Sequence, residues 1–339
     1  MTATTACRGP GLRSAGAHGS AVTNGTGVGI KAMSRRLAAA FLATLCAMTL
    51  LHAVASAEEY GFVEPFGFAD ARLMAMGYSH VAVWDEPNPL YSNPAAFGLR
   101  TERLALTFGS AWGEGAGPTD FKFIALSDMD RGGGAGGFAW GHYEWHDGDA
   151  LFSGNTFNYS VGKSFAKWGA LGFGVRYLRG AAADAAADDP NGDLRWRGLA
   201  TDAGLVVKHN AISLGVVARD VTSTRLVFDD GTAVTLRPSY SAGLSLRLSA
   251  GTVVAVDAHR ASRPEGGLET YTYTGGFEGW LTPHIALRGG IIVGDGGGLD
   301  VKAYTGGIGL RFGDFEMSYA VLTGEEQGKR QCISLTRRF

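Results

Sequence analysis

Cysteine is nearly missing from this chain: among 339 residues there are only Cys7, Cys46 and Cys332. The first two fall in a leader-like stretch, and the one that remains cannot close an internal disulfide. Leu45 ahead of Cys46 is too bulky for a lipoprotein cleavage site. Long hydrophobic runs are missing as well. Beyond 37–54 no stretch approaches the roughly 20 apolar residues that a spanning helix needs. Positive charge is also in short supply. Residues 1–57 hold five basic and no acidic residues, so removing them moves the formal balance from −2 to −7. A mildly acidic chain gives no electrostatic case for nucleic acid. Nor do His80, His142, His146, His209, His259 and His284 stand in a spacing that sets a nucleophile beside its base, so no enzyme is expected.

Glycine, by contrast, is abundant. Its 52 copies are about twice the usual share and follow no collagen-like period. Sheets use glycine where strands bend or where neighbours crowd them. From residue 101 onward the sequence alternates apolar with polar residues in short segments, the pattern of strands with one face in lipid and the other in a polar lumen. Fourteen strands are expected, at 101–112, 118–128, 134–146, 152–165, 168–180, 194–208, 211–220, 237–248, 251–260, 268–280, 283–294, 300–312, 314–322 and 329–339. Within a bilayer every backbone N–H and C=O must be paired internally, so strands can span only as a closed sheet. The fold class is therefore all-β: a transmembrane antiparallel β-barrel of about fourteen strands.

The connections sort by side. Ala166-Lys167, His209-Asn210, Ser249-Ala250, Leu281-Thr282 and Gly313 are tight, whereas 181–193, 221–236, 261–267 and 323–328 are long. Short periplasmic turns and longer external loops are the habit of outer-membrane barrels. Trp112, Trp145, Trp168, Trp196 and Trp280 sit at strand ends, where an indole can rest in the membrane interface. Soluble sandwiches share the alternation but have no reason for such a girdle. By parity Phe315, Met317, Tyr319 and Val321 face lipid. Arg176, Asp202, Arg247, Glu278, Arg288 and Glu316 point inward as a network of mixed sign, which suits bracing of the wall more than a substrate site.

The leader has the parts of a secretory signal peptide. Ser34-Arg35-Arg36 is basic, 37–54 is apolar, and Ala55-Ser56-Ala57 offers a small-residue cleavage site before Glu58-Glu59. Translation is expected to start at Met33 and cleavage to follow Ala57, giving a leader at 1–57. A membrane anchor is the alternative, against which stand the alanine-rich run and its A-x-A end.

Residues 58–100 do not read as strands. They contain Ala71-Arg72, Met76-Gly77, the apolar Val81-Ala82-Val83-Trp84 before Asp85-Glu86, and Asn93-Pro94-Ala95-Ala96-Phe97-Gly98. Proline drives Asn93 out of the helical region, marking a sharp redirection into the first strand. Leu73, Met74, Met76, Val81, Val83 and Trp84 are too apolar to leave in water as a tail. Fourteen strands also enclose more room than wall side chains fill. A plug, or hatch, at 58–100 leading into a barrel at 101–339 is expected.

The order A-R-x-x-x-M-G, an apolar stretch, acidic residues and N-P-A-x-x-G resembles the entry segment of the FadL-type outer-membrane superfamily. Phe277-Glu278-Gly279-Trp280, Gly306-Gly307-Ile308-Gly309-Leu310 and Ser318-Tyr319-Ala320 are similar to closing strands of its PorV/PorQ-like branch. Tyr78-Ser79-His80 and the proline-rich Asp85-Glu86-Pro87-Asn88-Pro89 depart from the usual pattern. The resemblance implies a hatch built on Met76, Gly77, Trp84, Asp85, Asn93, Pro94 and Ala95. It implies passive transport of hydrophobic small molecules of the fatty-acid or hydrocarbon class. A PorV-like partner that holds a secreted or surface protein, without transport, is the alternative. A kinked third strand would open the wall sideways at Gly134, Gly136, Gly137 and Gly141, although glycine opposite bulky Phe138 and Trp140 explains the composition equally well. Expected partners are outer-membrane lipid and lipopolysaccharide, a hydrophobic ligand or secreted protein, and the barrel-assembly machinery acting on the last strand through Phe339.

Three further patterns carry less. His142 and His146 with Asp147 and Asp149 could hold a rim metal, but a spacing of four on a strand leaves a residue between them. Asp184, Asp188, Asp189 and Asp193 lack the spacing of a calcium loop. Gly162-Lys163-Ser164 has Phe157 where a phosphate loop needs its first glycine. No cofactor is expected.

Overall fold

The computed structural model describes residues 69–339 apart from 101–103, 114–119, 129–133, 148–149, 185–193, 262–269, 296–298 and 325–327. The leader, residues 58–68 of the hatch, the side chains of Trp145 and His146, and the acidic loop at Asp188, Asp189 and Asp193 lie outside the described residues.

The strands are β1 Ala105–Gly113, β2 Asp120–Asp128, β3 Ala135–Asp147, β4 Ala150–Ala166, β5 Gly169–Asp184, β6 Leu194–His209, β7 Ile212–Arg219, β8 Thr224–Phe228, β9 Ala233–Leu236, β10 Ser239–Ser249, β11 Thr252–Ala261, β12 Thr270–Thr282, β13 Ile285–Asp295, β14 Leu299–Phe312, β15 Phe315–Gly324 and β16 Gly328–Arg338. Fourteen of them, β1 to β7 and β10 to β16, form a wall in which each is antiparallel to its neighbours. The ring closes where β1 meets β16, from Ala105 opposite Arg338 to Gly113 opposite Arg330. A closed ring leaves the wall without an edge, as an apolar solvent demands.

The alternation expected from sequence is physical. Phe315 and Met317 are exposed on the outer face of β15, whereas Glu316, Ser318 and Ala320 are buried on the inner face. Asn210 and Gly313 carry φ of 53° and 58° in the tight turns, where asparagine and glycine tolerate the left-handed region.

Two expectations need correction. The segment 221–236 is not a plain loop but the hairpin β8–β9. It turns through Asp229-Asp230-Gly231, with Gly231 at φ 87°, and docks on β6 through Trp196 opposite Phe228 and Arg197 opposite Val227. The cause is a mismatch in length: β6 has 16 residues and its neighbour β7 only 8, so the outer end of β6 would be a bare edge without the hairpin. The tryptophan girdle is also incomplete. Trp112 and Trp168 are exposed on the outer face, but Trp196 is buried over Gly180, and Trp280 stacks under Arg311 at 4.0 Å.

Inside the ring lies the plug. Helix α1, Ala71–Ala75, is capped by Asp70, whose side chain accepts from the Leu73 N–H at 2.9 Å. Two 3-10 turns follow, Pro89–Tyr91 and Pro94–Leu99, the second capped by Asn93 with proline at its first position. Leu73, Met74, Met76, Val83, Leu90 and Phe97 are all 3% exposed or less, so the segment fills the lumen as core.

Much of the glycine content is explained here. A methyl group at Gly276 or Gly290 would run into the Met76–Gly77 backbone, one at Gly172 into Pro94 and one at Gly215 into Val81. The wall is bare where plug backbone presses on it.

Candidate functional site: the plug–wall seam

An irregular segment inside a barrel must find partners for backbone groups that no ladder serves. Wall side chains provide them. Asp257 on β11 accepts from the N–H groups of His80 and Val81 at 2.6 and 2.9 Å. Ser245 donates to the carbonyl of Ala82, Thr305 to Ala75, Ser127 to Pro87, and Asn158 to Leu90. Arg219 donates to the carbonyls of Tyr91 and Ser92. Asn93 is the plug's own pin: its Nδ2 donates to Val81 at 2.8 Å and to Leu205 on the wall at 3.2 Å, while its Oδ1 accepts from the Ala95 N–H.

Charge locks the inner end. Arg72 donates to Glu278 through Nε at 2.8 Å and Nη2 at 2.9 Å, and to Glu86 through Nη1 at 2.9 Å. Glu278 also accepts from Arg288 at 2.7 Å, Arg288 reaches Glu316 at 2.9 Å, and Glu316 is closed by Arg311 and Arg338. Buried ions of this kind persist only when every partner is in place. Beside the chain, Asp85 accepts from Arg247 at 2.5 Å, and Trp84 lies beneath Lys208 at 3.7 Å and Arg247 at 5.4 Å. A cavity of about 570 Å³ opens here, lined in part by Arg72, Asp85, Arg247, Trp280 and Arg338.

The six inward charges read from sequence thus divide into two groups. Glu278, Arg288 and Glu316 form one chain with the plug, with Arg247 joined through Asp85. Arg176 and Asp202 form a separate pair at 2.9 Å, extended by Asp220. Met76 and Gly77 pack against Gly276 and Gly290, and Pro94 and Ala95 against Gly172. Two important groups, Asp257 and Arg219, were not singled out, and Arg72 stood only as part of the entry motif, without its ion pairs. Asp257 could have been found, because parity places it inward opposite lipid-facing Val256.

The third strand pairs along its length with β2, from Gly136 opposite Asp128, and with β4, from Ala135 opposite Gly162, so the wall is continuous at these glycines. Gly137 and Gly141 make room for Phe97 and Phe121, respectively. Gly134 has φ 122° just before the strand. Phe339 donates its N–H to Leu104 across the barrel closure, with Arg337 over its ring at 4.4 Å. Among the described residues no group of side chains could hold a metal ion.

The two ends of the lumen differ in character. On the side of the long connections, inward Phe121, Phe123, Tyr143, Leu178, Trp196 and Leu226 join the plug's Leu90, Tyr91 and Phe97 in one buried apolar cluster. Tyr91 meets Phe121 and Phe123 edge-on at 6.0 and 5.6 Å. The side of the tight turns holds the ion chain.

No protein-family model matches the chain, and no curated protein matches it in sequence. Solved structures do match in fold. The monoaromatic hydrocarbon channel CymD is similar with a TM-score of 0.64 at 12% identity, over 80% of this chain and 97% of that one. The Ralstonia pickettii toluene transporter TbuX gives 0.63 at 14%, over 80% and 98%. A Pseudomonas aeruginosa FadL homologue gives 0.58 at 14%, over 83% and 99%. The fold is that of FadL-type outer-membrane barrels: fourteen antiparallel strands in a closed ring, with a plug-like segment before them.

Proposed function

We propose that the chain is a passive outer-membrane channel for hydrophobic small molecules of the hydrocarbon or fatty-acid class, with 58–100 as its resident plug. The observation that carries this is the buried apolar and aromatic cluster on the side of the long connections, where Phe121, Phe123, Tyr143, Leu178 and Trp196 of the wall meet Leu90, Tyr91 and Phe97 of the plug, a surface suited to a hydrophobic solute once the plug shifts. Likeness of fold to hydrocarbon channels supports it. A signal peptide cleaved after Ala57 and a last strand read by the assembly machinery through Phe339 complete the picture. The β3 glycines remain the proposed place for a sideways exit once the plug shifts.

Vesicles containing the folded barrel should take up toluene or oleate faster than empty vesicles, and removing residues 58–100 should raise small-solute leakage. Equal uptake would overturn transport; unchanged leakage would count against a plug.

The PorV-like partner role draws on one observation. Strands β4, β5 and β6 have 17, 16 and 16 residues against 9 in β1 and β2, so this side of the wall stands taller. Purification in mild detergent separates the two, since a secreted protein that travels with the barrel favours the partner and a fatty acid favours the channel.

A further inference from the structure

The outside of that tall wall has a charge pattern of its own. Arg179 on β5 and Arg197 on β6 are register partners, and Arg195 lies two residues along β6 from Arg197, opposite Ala181. All three are exposed on the outward parity, the face that carries Leu171, Phe173, Tyr177 and Leu199. A lipid-facing surface should not hold three guanidinium groups, two of them directly opposed, because like charges so placed repel.

Height resolves the conflict. Arg179 lies ten residues along β5 from Gly169. At an antiparallel rise and a tilt near 45°, ten residues climb about 24 Å, which is the top of an apolar band about 25 Å tall. Below Arg179 the outward residues are Leu171, Phe173, Val175 and Tyr177. The arginines therefore begin where the acyl region ends and headgroups begin.

The groups also enclose a space. Ser153, Asn155, Tyr177, Arg179, Arg195 and Arg197 border a depression of about 470 Å³, with Asp229 at the hairpin turn as the one carboxylate among the described lining residues. Among the described residues, three positive groups against one negative leave the lining net positive. Among the described residues none of the three arginines is ion-paired, and Arg179 lies over the Phe157 ring at 5.5 Å. Guanidinium forks suit phosphate oxygens, which they bind in bidentate fashion.

We propose that this depression binds the phosphate-bearing headgroup of an outer-leaflet glycolipid, whose acyl chains lie along the aromatic face beneath it; the site rests on the outer-membrane orientation proposed above. Its occupant is a lipid because the charged rim is continuous with the apolar band: the same strands that present phosphate ligands present Tyr159, Phe173 and Leu199 to the chains. Binding would tie the tall side of the barrel to the outer leaflet.

The test is native mass spectrometry of the full folded barrel with three probes: bisphosphorylated lipid A, the same lipid stripped of phosphate, and inorganic phosphate. Wild type should retain the phosphorylated lipid at least tenfold better than the stripped one, and the triple variant R179Q/R195Q/R197Q should lose that preference. Equal retention of the two lipids by wild type overturns the site, whether or not the variant folds. So does a folded triple variant with its preference intact. Displacement by millimolar phosphate alone would assign the site to free phosphate and overturn the lipid. A barrel that inserts but shows no preference removes this site only, whereas a chain that stays soluble without detergent removes the membrane orientation itself.

Discussion

Arg72 in the plug and Glu278 in the wall hold each other through two hydrogen bonds, at 2.8 and 2.9 Å, across 206 residues of sequence. The pair is the plug's strongest tie, because Glu278 is buried and its remaining partner, Arg288, is committed to Glu316 as well. Replacing Arg72 with glutamine leaves Glu278 and Glu86 short of a cation. Removing one partner of a buried pair costs about 3–5 kcal/mol. That loss falls on docking of the plug, since the wall ladders do not involve Arg72. R72Q should therefore expose the plug to protease and raise small-solute leakage while the barrel still migrates as a folded, heat-modifiable species. A variant whose plug stays protected would show that the ion chain is dispensable.

Asn93 is a second tie, made without charge. Its side chain holds Val81 and Leu205 carbonyls and the Ala95 N–H, all in the interior. N93A strands these groups at about 1–3 kcal/mol for each buried group left unsatisfied. Hydrogen exchange should reveal it as faster exchange at Ala95 and its neighbours, with β6 and β7 unchanged.

Docking should depend on pH through His80. Burial, reinforced by nearby His259 and Arg219, holds this imidazole well below its ordinary value of 6.5. A released His80 takes up a proton below that pH which the docked one refuses. Docking is thus fully supported above about pH 6.5 and weakens as pH falls, by about 1.4 kcal/mol per unit. Glu86 acts in the opposite sense: burial pushes its carboxyl well above 4.5 against the pull of Arg72, so its share is present at low pH and fades as pH rises. Protease release of the plug, followed from pH 7.5 to pH 5, should increase toward acid in wild type less steeply than His80 alone dictates, increase more steeply in E86Q, and decrease toward acid in H80Q, where Glu86 acts without the histidine. An H80Q profile identical to wild type would remove the histidine from the account.

The wall was legible in the sequence because period-two alternation is a local signal repeated fourteen times, so an error in one strand is checked by its neighbours. Phe315 to Val321 shows it plainly, each outward residue separated by an inward one. The hairpin at 224–236 was not legible, although Asp230-Gly231 is a turn signal, because what calls for the hairpin is the short neighbour β7. That is a property of pairing between strands, not of the segment itself. Trp196 was misplaced for a similar reason: its position near a strand end fits an interfacial girdle, and only Gly180 on the adjacent strand turns the space inside into a slot for an indole. The hatch as a unit could be read from its apolar residues and its Asn93-Pro94 break. Its ties to Asp257, Arg219 and Glu278 join positions more than a hundred residues apart. No local pattern records them.

The glycine pressure on the plug can be tested by two substitutions in one strand. At Gly276 on β12 an added methyl would meet the Met76 carbonyl and Cα, backbone atoms that cannot swing aside; at Gly279, three residues away, it would meet nothing within 4 Å. Both positions have ordinary strand backbone, so alanine itself is unstrained and each change gains a little from a stiffer unfolded chain. The difference between them therefore isolates plug contact. G276A should weaken docking by about 1–3 kcal/mol, as overpacking does, and raise leakage through the folded barrel, whereas G279A should match wild type in leakage and be equal or slightly higher in thermal stability. If the two variants leak alike, Gly276 is bare for the sake of the strand, and the plug does not press on the wall there.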